Sequence, residues 1–229
     1  MLKVNELSIG YGLSQVVHDI NFELGQGEIL GVMGRNGMGK TTLFKALIGL
    51  LPAWSGDIRM GDAVLTAQRP YRRVASGLAY VPQGRQVFAT LTVEENIRTG
   101  LEATGRKRIP DDIYSLFPVL QEMRKRRAGN LSGGQQQQLA VARALAAEPD
   151  VLLLDEPTEG IQPSIIKDMA KTLREIRRVR NISILFSEQV LSFAMDVSDR
   201  VLVIDRGRLV DEMQGQELSE ATMAQYLSV

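Results

Sequence analysis

The chain has 229 residues, and 44% of them are hydrophobic, which is enough for a substantial core in one large domain or two small ones. Basic and acidic residues number 27 each, so no net charge would attract the whole molecule to nucleic acid or to an anionic membrane. The lack of cysteine excludes a disulfide framework and cysteine metal sites, and no apolar stretch is long enough to cross a bilayer. We therefore expect a cytoplasmic protein that would need another subunit to work at a membrane.

The first part of the chain predicts two kinds of structure in turn. Apolar alternation punctuated by glycine indicates antiparallel strands over residues 2–9 and 16–24. Residues 29–33 form a short apolar run, typical of a buried strand, and residues 41–50 have the apolar spacing of a helix. A strand, a glycine-rich loop and a helix in this order are the parts of a P-loop.

The middle of the chain is predicted to be mainly helical. After a strand at 78–81, the pattern from 93 to about 127 is mostly that of helices, interrupted by one glycine and two prolines. We expect a helical subdomain of about residues 88–145 that is inserted into the α/β core.

The last part alternates apolar strands with polar, periodic helices. The strands at 151–154 and 182–186 favour a buried, mainly parallel sheet. A hairpin at 201–210 and a closing helix at 218–227 follow. The prediction is a single α/β domain over residues 1–229, with a P-loop core sheet, an antiparallel β subdomain and the helical insertion.

A P-loop pattern follows the predicted strand at 29–33. Its residues are Gly34, Arg35, Asn36, Gly37, Met38, Gly39, Lys40, Thr41 and Thr42. The glycines allow backbone N–H groups to turn toward phosphate oxygens, and the start of the following helix adds a positive field. Lys40 would reach the β- and γ-phosphates, and the Thr41 hydroxyl would bind Mg²⁺. The alternative is a tight turn without a ligand, but the Lys-Thr ending between strand and helix favours phosphate binding.

Two acidic residues, Asp155 and Glu156, follow the apolar strand at 151–154. Their carboxylates would emerge at the carboxyl end of that strand, where ligands of open α/β sheets bind. Asp155 is predicted to hold Mg²⁺ through water, and Glu156 to orient and deprotonate the attacking water. A solvated acidic turn before Pro157 is the alternative.

A third string lies between these two and consists of Leu131, Ser132, Gly133, Gly134 and Gln135. With it, the chain resembles the ATP-binding cassette (ABC) ATPases of transporters over essentially its whole length. Ser132 and the glycine N–H groups at a helix start would form an anion site of their own. The resemblance implies that this site binds the γ-phosphate of ATP held by an opposite subunit, in a head-to-tail dimer that closes on two nucleotides.

The same resemblance assigns three further contacts. Tyr11 matches the aromatic residue that stacks on adenine, although an ordinary turn tyrosine is the alternative. Gln83 matches the glutamine that contacts Mg²⁺ and the attacking water, and its loop senses the transmembrane partner. Residues 159–162 match the loop that crosses to the other subunit, but they depart from the commoner Ser-Ala-Leu-Asp type, which puts their cross-dimer contacts in doubt.

The main departure from the family pattern is Gln189, at the end of the strand at 182–186. Most family members have a histidine at this position, where it contacts the γ-phosphate. Loss of a positioned acid or base costs roughly 10² to 10⁴ in rate, but glutamine keeps a hydrogen-bond donor and the loss could be smaller. The hypothesis is a slow or asymmetric ATPase in which Gln189 keeps a catalytic position.

Three features lie outside these motifs. His18, the single histidine, is interpreted as a strand-edge side chain rather than a catalytic residue. The basic run at 124–127 is interpreted as a solvated helix end, with a partner or lipid headgroups as the alternative. Trp54 is expected in the core or in a subunit contact.

The motif variants narrow the resemblance to one of two paired ATPases of importers for branched-chain amino acids and for urea or short amides. Residues 34–39 and 158–163 are similar to the urea-type subunit, whereas branched-chain relatives often have Glu in place of Gln83 and Ala in place of Met38. The resemblance implies a peripheral protein on the cytoplasmic side of the inner membrane, with permease subunits as direct partners, a solute-binding protein as an indirect one, and no nucleic acid. We expect a heterodimer with a second ABC ATPase that carries the missing histidine, and a monomer or homodimer for the chain alone.

Other functions of the same superfamily are less favoured. A DNA-repair or chromosome ATPase would have a long coiled coil between Lys40 and Leu131, and no sustained heptads occur there. A ribosome-associated ATPase would need two cassettes in one chain. A nucleotide-binding regulatory module is disfavoured by Lys40, Asp155 and Glu156, although Gln189 leaves it open.

Overall fold

The structure is a computed structural model that describes residues 2–102 and 104–227. Its strands, in chain order, are β1 Leu2–Tyr11, β2 Ser14–Leu24, β3 Ile29–Met33, β4 Ser55–Met60, β5 Ala63–Val64, β6 Leu78–Val81, β7 Val151–Asp155, β8 Ser183–Glu188, β9 Arg200–Asp205 and β10 Arg208–Gln214. Its α-helices are α1 Lys40–Ile48, α2 Pro70–Ala75, α3 Val93–Thr99, α4 Asp112–Leu116, α5 Pro118–Glu122, α6 Gly133–Leu145, α7 Pro163–Arg180, α8 Leu191–Val197 and α9 Glu220–Leu227. Short 3₁₀ turns occur at Ala128–Asn130 and Gly215–Glu217.

The strands form two sheets of different character. An antiparallel sheet has the order β2-β1-β4-β5, and a six-stranded sheet has the order β10-β9-β3-β8-β7-β6. In the described residues, strands β6, β7, β8, β3 and β9 of this sheet are parallel to one another, and β10 pairs antiparallel with β9. This arrangement confirms the predicted α/β fold with a mainly parallel core sheet and a separate antiparallel sheet.

Strand β3 shows why the core sheet needs apolar residues at every position. Ile29 and Met33 pack with the helices on one face of the sheet, whereas Leu30 and Val32 pack toward α1 and the antiparallel sheet. Both faces are therefore buried, which is the normal situation of a parallel sheet. The central residue is glycine because a Cβ at Gly31 would lie 2.8 Å from Cζ of Phe186 on the neighbouring strand.

The segment between β6 and β7 contains shorter helices than its periodicity predicted. Pro118 begins α5 directly after α4, since proline fits the first turn of a helix but not its interior. The guanidinium of Arg180, at the end of α7, donates to both oxygens of Asp112 on α4 at 2.7 Å, and it also donates to the carbonyl of Leu145 on α6. These bonds fix α4 and α6 against the end of α7.

Elements β4, β5, α2 and α8 were not predicted individually, because they are short and only partly apolar. Of the two positions expected for Trp54, the core is excluded because the side chain is 45% exposed, and a subunit contact stays a prediction. His18 lies on β2, an edge strand, as expected. The basic residues 124–127 are all exposed. Within the described parts of the chain, the helices are too short or too polar to cross a membrane.

Candidate nucleotide-binding site

The loop between β3 and α1 has the backbone of a phosphate cradle. Gly37 and Gly39 have φ angles of 81° and 102°, in the left-handed region that a side chain strains. A Cβ at Gly34 would lie 2.4 Å from the carbonyl oxygen of Ile204, so only glycine allows this close approach. Helix α1 therefore begins with free N–H groups directed out of the loop, which favours an anion there.

Lys40, the first residue of α1, is buried and held at three points. Its Nζ donates to the carbonyl oxygens of Gly34 at 2.7 Å and Arg35 at 3.0 Å. The same Nζ lies 3.1 Å from Oε1 of Glu156, and both side chains are less than a tenth exposed. A phosphate that binds Lys40 therefore has to compete with the Glu156 carboxylate.

Asp155 ends β7 inside a ring of hydroxyl groups. Oδ1 accepts hydrogen bonds from Ser187 at 2.7 Å and Thr41 at 3.2 Å, and Oδ2 accepts one from Tyr80 at 3.2 Å. Burial raises the pKa of Asp155, and these three hydrogen bonds oppose the shift by favouring the carboxylate. Burial and the neighbouring Asp155 charge also raise the pKa of Tyr80, which keeps its hydroxyl a donor.

Glu156 has a left-handed backbone with a φ of 47°, which is unusual for a residue with a side chain. Its N–H donates to Oγ of Ser187 at 3.1 Å, and this bond holds the turn after β7. Its Oε2 accepts a hydrogen bond from Nε2 of Gln83 at 3.2 Å, while Oε1 faces Lys40. Backbone strain of this kind is found at functional sites, where the surrounding structure holds it in place.

These residues form one connected group, which we call the P-loop site: residues 34–42, Gln83, Asp155 and Glu156. A cavity of about 130 Å³ lies in it. The residues that line the cavity are Val16, Gly37, Gly39, Lys40, Thr41, Thr42 and Glu156. The structure thus brings together the predicted P-loop, the glutamine and the two acidic residues, although they are far apart in the chain.

The string at 131–135 lies at the start of α6. Ser132 caps the helix, because its Oγ accepts from the N–H of Gln135 at 3.3 Å while Oε1 of Gln135 accepts from the N–H of Ser132 at 3.0 Å. Ser132 is exposed, and Leu131 is buried beneath it. A Cβ at Gly134 would lie 2.7 Å from Ile165 of α7, so the glycine permits close packing. We call residues 131–135 and 159–160 the signature face.

Among the described residues, no hydrogen bond joins the string at 131–135 to the P-loop site. In the described residues, the hydrogen bonds of positions 131–135 stay within α6 and the turn before it. A trans role for this string, with ATP supplied by another subunit, remains a prediction.

Tyr11 and Gln189, two further predicted ATP contacts, both have exposed side chains. Tyr11 ends β1 and is 47% exposed, so its ring is free to stack on a base. Gln189 follows β8 with an exposed side chain, and its N–H donates to Oε2 of Glu188 at 3.0 Å. Their predicted roles toward ATP are not tested by these positions.

Three residues that hold the site together were given no role from the sequence: Tyr80, Ser187 and Glu188. Glu188 is buried, and its carboxylate accepts from the N–H and the hydroxyl of Thr158, at 2.9 and 2.6 Å, as well as from the N–H groups of Gln189 and Val190. Tyr80, Ser187 and Glu188 lie near the carboxyl ends of β6 and β8, next to β7. That shared edge is the signal that could have found them.

The donor set suits a nucleotide with magnesium. Thr41, Gln83 and Asp155 offer hydroxyl, amide and carboxylate oxygens, the hard ligands that Mg²⁺ prefers beside phosphate oxygens. No cluster of three or more His, Cys, Asp or Glu occurs among the described residues, so an all-protein metal cage is not present there. A metal that shares its coordination with phosphates fits these residues.

Comparisons with known proteins identify the family. Residues 17–159 match the ABC transporter family. The chain belongs to this family. It is 38% identical to the high-affinity branched-chain amino acid transport ATP-binding protein BraG of Pseudomonas aeruginosa, over 95% of this chain and 94% of that protein. It is 34% identical to the probable branched-chain amino acid transport ATP-binding protein LivF of Archaeoglobus fulgidus, over 96% and 94%.

A solved structure agrees with this assignment. The structure of cbiO1 from Clostridium perfringens, part of the ABC transporter complex cbiONQ, superposes with a TM-score of 0.79 at 26% identity, over 99% of this chain and 91% of that one. The chain is therefore an ABC ATPase, an ATP-binding and ATP-hydrolysing subunit of a transporter. Subunits of this family dimerise and work with transmembrane permease subunits.

Proposed function

We propose that this ABC ATPase drives an importer of a small polar solute by closing with a second ATPase subunit on two molecules of ATP and Mg²⁺. The observation that supports this is the P-loop site, where Glu156 contacts both Lys40 and Gln83 at the carboxyl edge of the core sheet. Tyr11 would stack on adenine, and residues 34–42 would hold the phosphates. The inserted helices of about residues 88–145 would form a subdomain that carries Ser132 and its neighbours to the partner's ATP.

The contacts of Glu156 suggest how hydrolysis is controlled. In this structure its two carboxylate oxygens face Lys40 and Gln83. When a phosphate binds Lys40 in place of Glu156, Oε1 of Glu156 loses its partner. It can then accept a proton from an attacking water that Gln83 and Gln189 help to orient. Mg²⁺ held near Thr41, Gln83 and Asp155 would neutralise charge on the β- and γ-phosphates.

For the solute we propose urea or a short amide, on the strength of the motif variants. Gln83 donates its amide hydrogen to Glu156, whereas a glutamate there would place two carboxylates against each other. Met38 accepts a hydrogen bond at its sulfur from the N–H of Arg206, a contact that alanine would not make. A branched-chain amino acid is the second candidate, because BraG and LivF carry that solute in their names.

We further propose a peripheral protein on the cytoplasmic side of the inner membrane, with a heterodimer partner whose histidine stands where this chain has Gln189. A solute-binding protein would act indirectly, through the permease subunits. Reconstitution of the chain with these subunits in lipid vesicles tests the proposed assembly and the proposed solute together. Urea or a short amide should stimulate phosphate release, whereas stimulation by leucine alone would favour the second solute.

The closed dimer with two bound ATP molecules, which we call the dimeric clamp, is tested with Glu156→Gln. This variant should bind ATP but hydrolyse it roughly 10² to 10⁴ times more slowly than wild type, since the base is removed. An ATP-dependent dimer should then accumulate, with this chain or with its partner ATPase, and light scattering after gel filtration would detect it. Addition of Ser132→Arg should abolish the dimer, because the longer cation would fill the signature face. A Glu156→Gln chain that stays monomeric with ATP and with the partner would contradict the proposal.

A further inference from the structure

One side chain, Arg85, joins the loop of Gln83 to the signature face. Its Nη2 donates to the carbonyl oxygens of Glu159 at 3.0 Å and Gly160 at 3.1 Å. Its Nη1 lies so close to the start of α6 that a Cβ at Gly133 would be 3.1 Å away. Both parts of the signature face therefore contact the same guanidinium group.

The backbone around Arg85 is held in an unfavourable conformation. Gly84, Arg85 and Gln86 have φ angles of 76°, 66° and 46°, a run of left-handed residues of which two carry side chains. Arg143, in the last turn of α6, donates to the carbonyl oxygens of Gln86 at 2.9 Å and of Arg85 at 3.5 Å. The segment 84–86 is thus tied to α6 at the beginning and at the end of that helix.

Two glycines leave room for the Arg85 side chain. A Cβ at Gly160 would lie 3.2 Å from Nη2, as close as the one at Gly133 would lie to Nη1. Arg85 makes no ion pair among the described residues, and its positive charge lies beside the N-terminus of α6. A cation at this end of a helix is unfavourable by itself, but it adds to the field that would attract an anion there.

A continuous series of contacts consequently runs from the P-loop site to the signature face. Lys40 contacts Glu156, Glu156 contacts Gln83, and two residues further along the chain Arg85 contacts Gly160 and the start of α6. A loss of the Lys40 to Glu156 contact on phosphate binding would first change the contacts that Glu156 and Gln83 make. The Arg85 contacts would then carry it to the residues that face a partner.

We propose that Arg85 is a positioning residue that couples ATP bound in the P-loop site to the presentation of the signature face. This inference rests on the proposed dimeric clamp. Arg85 holds the carbonyl groups of 159–160 in register with the start of α6, so that both meet the nucleotide of the other subunit together. Its action is on dimer closure and hydrolysis, and the binding of ATP by its own chain does not depend on it.

The test compares Glu156→Gln with Glu156→Gln/Arg85→Ala and Glu156→Gln/Arg85→Lys. Titration with a fluorescent ATP analogue measures binding by the single chain, and light scattering after gel filtration measures the ATP-dependent dimer. The alanine variant should bind the analogue as Glu156→Gln does but need at least about tenfold more ATP to dimerise, because two hydrogen bonds from a charged donor are lost. Lysine should restore only part of this, since its single ammonium group cannot lie beside the two carbonyl groups and the start of α6 at once, as Nη2 and Nη1 of Arg85 do.

A matched control is Arg59→Ala, which removes a half-exposed arginine of β4 that contacts Asp57. It should leave both measurements unchanged. Equal dimerisation with and without Arg85 would overturn the proposal, and so would a parallel loss of ATP binding in the alanine and lysine variants. A Glu156→Gln chain that never dimerises would overturn the clamp, and the role of Arg85 with it. Should the alanine variant not fold, the lysine variant decides by the same two measurements.

Discussion

The P-loop site and the signature face satisfy their polar groups in different ways. In the P-loop site Lys40, Asp155 and Glu156 are buried, and each has several partners within the chain. On the signature face Ser132 is exposed, and among the described residues its hydrogen bonds stay within the first turn of α6, to Gln135 and Gln136. One region is assembled before a ligand arrives, whereas the other presents an open edge.

This difference teaches what each region has to do when ATP binds. Lys40 and Glu156 are already paired in the P-loop site, so a phosphate has to exchange for the Glu156 carboxylate at Lys40. Removal of one member of such a buried pair leaves the other without compensation, which costs more than the pair itself contributes. Substitutions on the signature face break no such buried pair. They should therefore change association with a partner rather than folding.

The largest effect is expected from Lys40→Met, which tests whether the P-loop site depends on its internal pair. The variant should lose ATP binding, and its free energy of unfolding should fall by about 3–5 kcal/mol because Glu156 is left buried and unpaired. Urea unfolding and titration with the fluorescent ATP analogue measure the two losses. The double variant Lys40→Met/Glu156→Gln should recover part of the stability but none of the binding. Additive stability losses would show that the pair is not coupled, and the comparison would fail.

A smaller effect is expected from Gln189→His, which sharpens the comparison at the edge of the P-loop site. The side chain is exposed, so the melting temperature should stay unchanged. The histidine can contact the γ-phosphate, and steady-state phosphate release by the isolated chain should rise by less than roughly hundredfold. Gln189→Asn, which keeps an amide but shortens the reach, is the control and should not exceed wild type. An unchanged or lower rate with histidine would count against the asymmetric ATPase.

Local patterns predicted much of this fold and part of the site. The strand at 29–33, the glycine loop and helix α1 lie side by side in the chain, so their order could be interpreted without tertiary information. The apolar runs that became β7 and β8 were equally clear. The helices between β6 and β7 are shorter than predicted because prolines and a glycine interrupt the periodicity, and tertiary bonds such as Arg180 to Asp112 decide where they end.

The contacts that control the site are long-range and left no local signal. The Lys40 to Glu156 pair connects the ends of β3 and β7, which β8 separates in the sheet, and the bond from Arg85 to Gly160 connects the loops after β6 and β7. Glu188 looked like an ordinary residue before Gln189, yet it lies buried among four donors. Such roles follow from which strand ends meet at one edge, and this depends on the strand order of the whole sheet.

The smallest expected effect concerns Glu188, the buried carboxylate that joins Thr158 to the turn at Gln189. Burial raises its pKa in the folded chain above the ordinary value of 4.5, in spite of the hydrogen bonds that it accepts. The folded chain therefore keeps the Glu188 proton to higher pH than the unfolded chain does. The contribution of this proton to the free energy of unfolding is fully present below pH 4.5 and is lost as the pH rises through the folded pKa.

Glu188→Gln removes the titrating group, so the stability of wild type relative to the variant should fall as the pH rises from 4.5 to 8. The fall should be about 1.4 kcal/mol for each unit by which the pKa is raised, and urea unfolding across this pH range measures it. Glu95→Gln is the control, because hydrogen bonds from Thr92 lower the pKa of this exposed residue and the opposite trend is expected below pH 4.5. A relative stability that rises with pH at Glu188 would show that its four donors outweigh burial. The hydrogen bonds to Glu188 would then compensate fully for its burial. The P-loop site and the signature face would in that case differ only in their exposure.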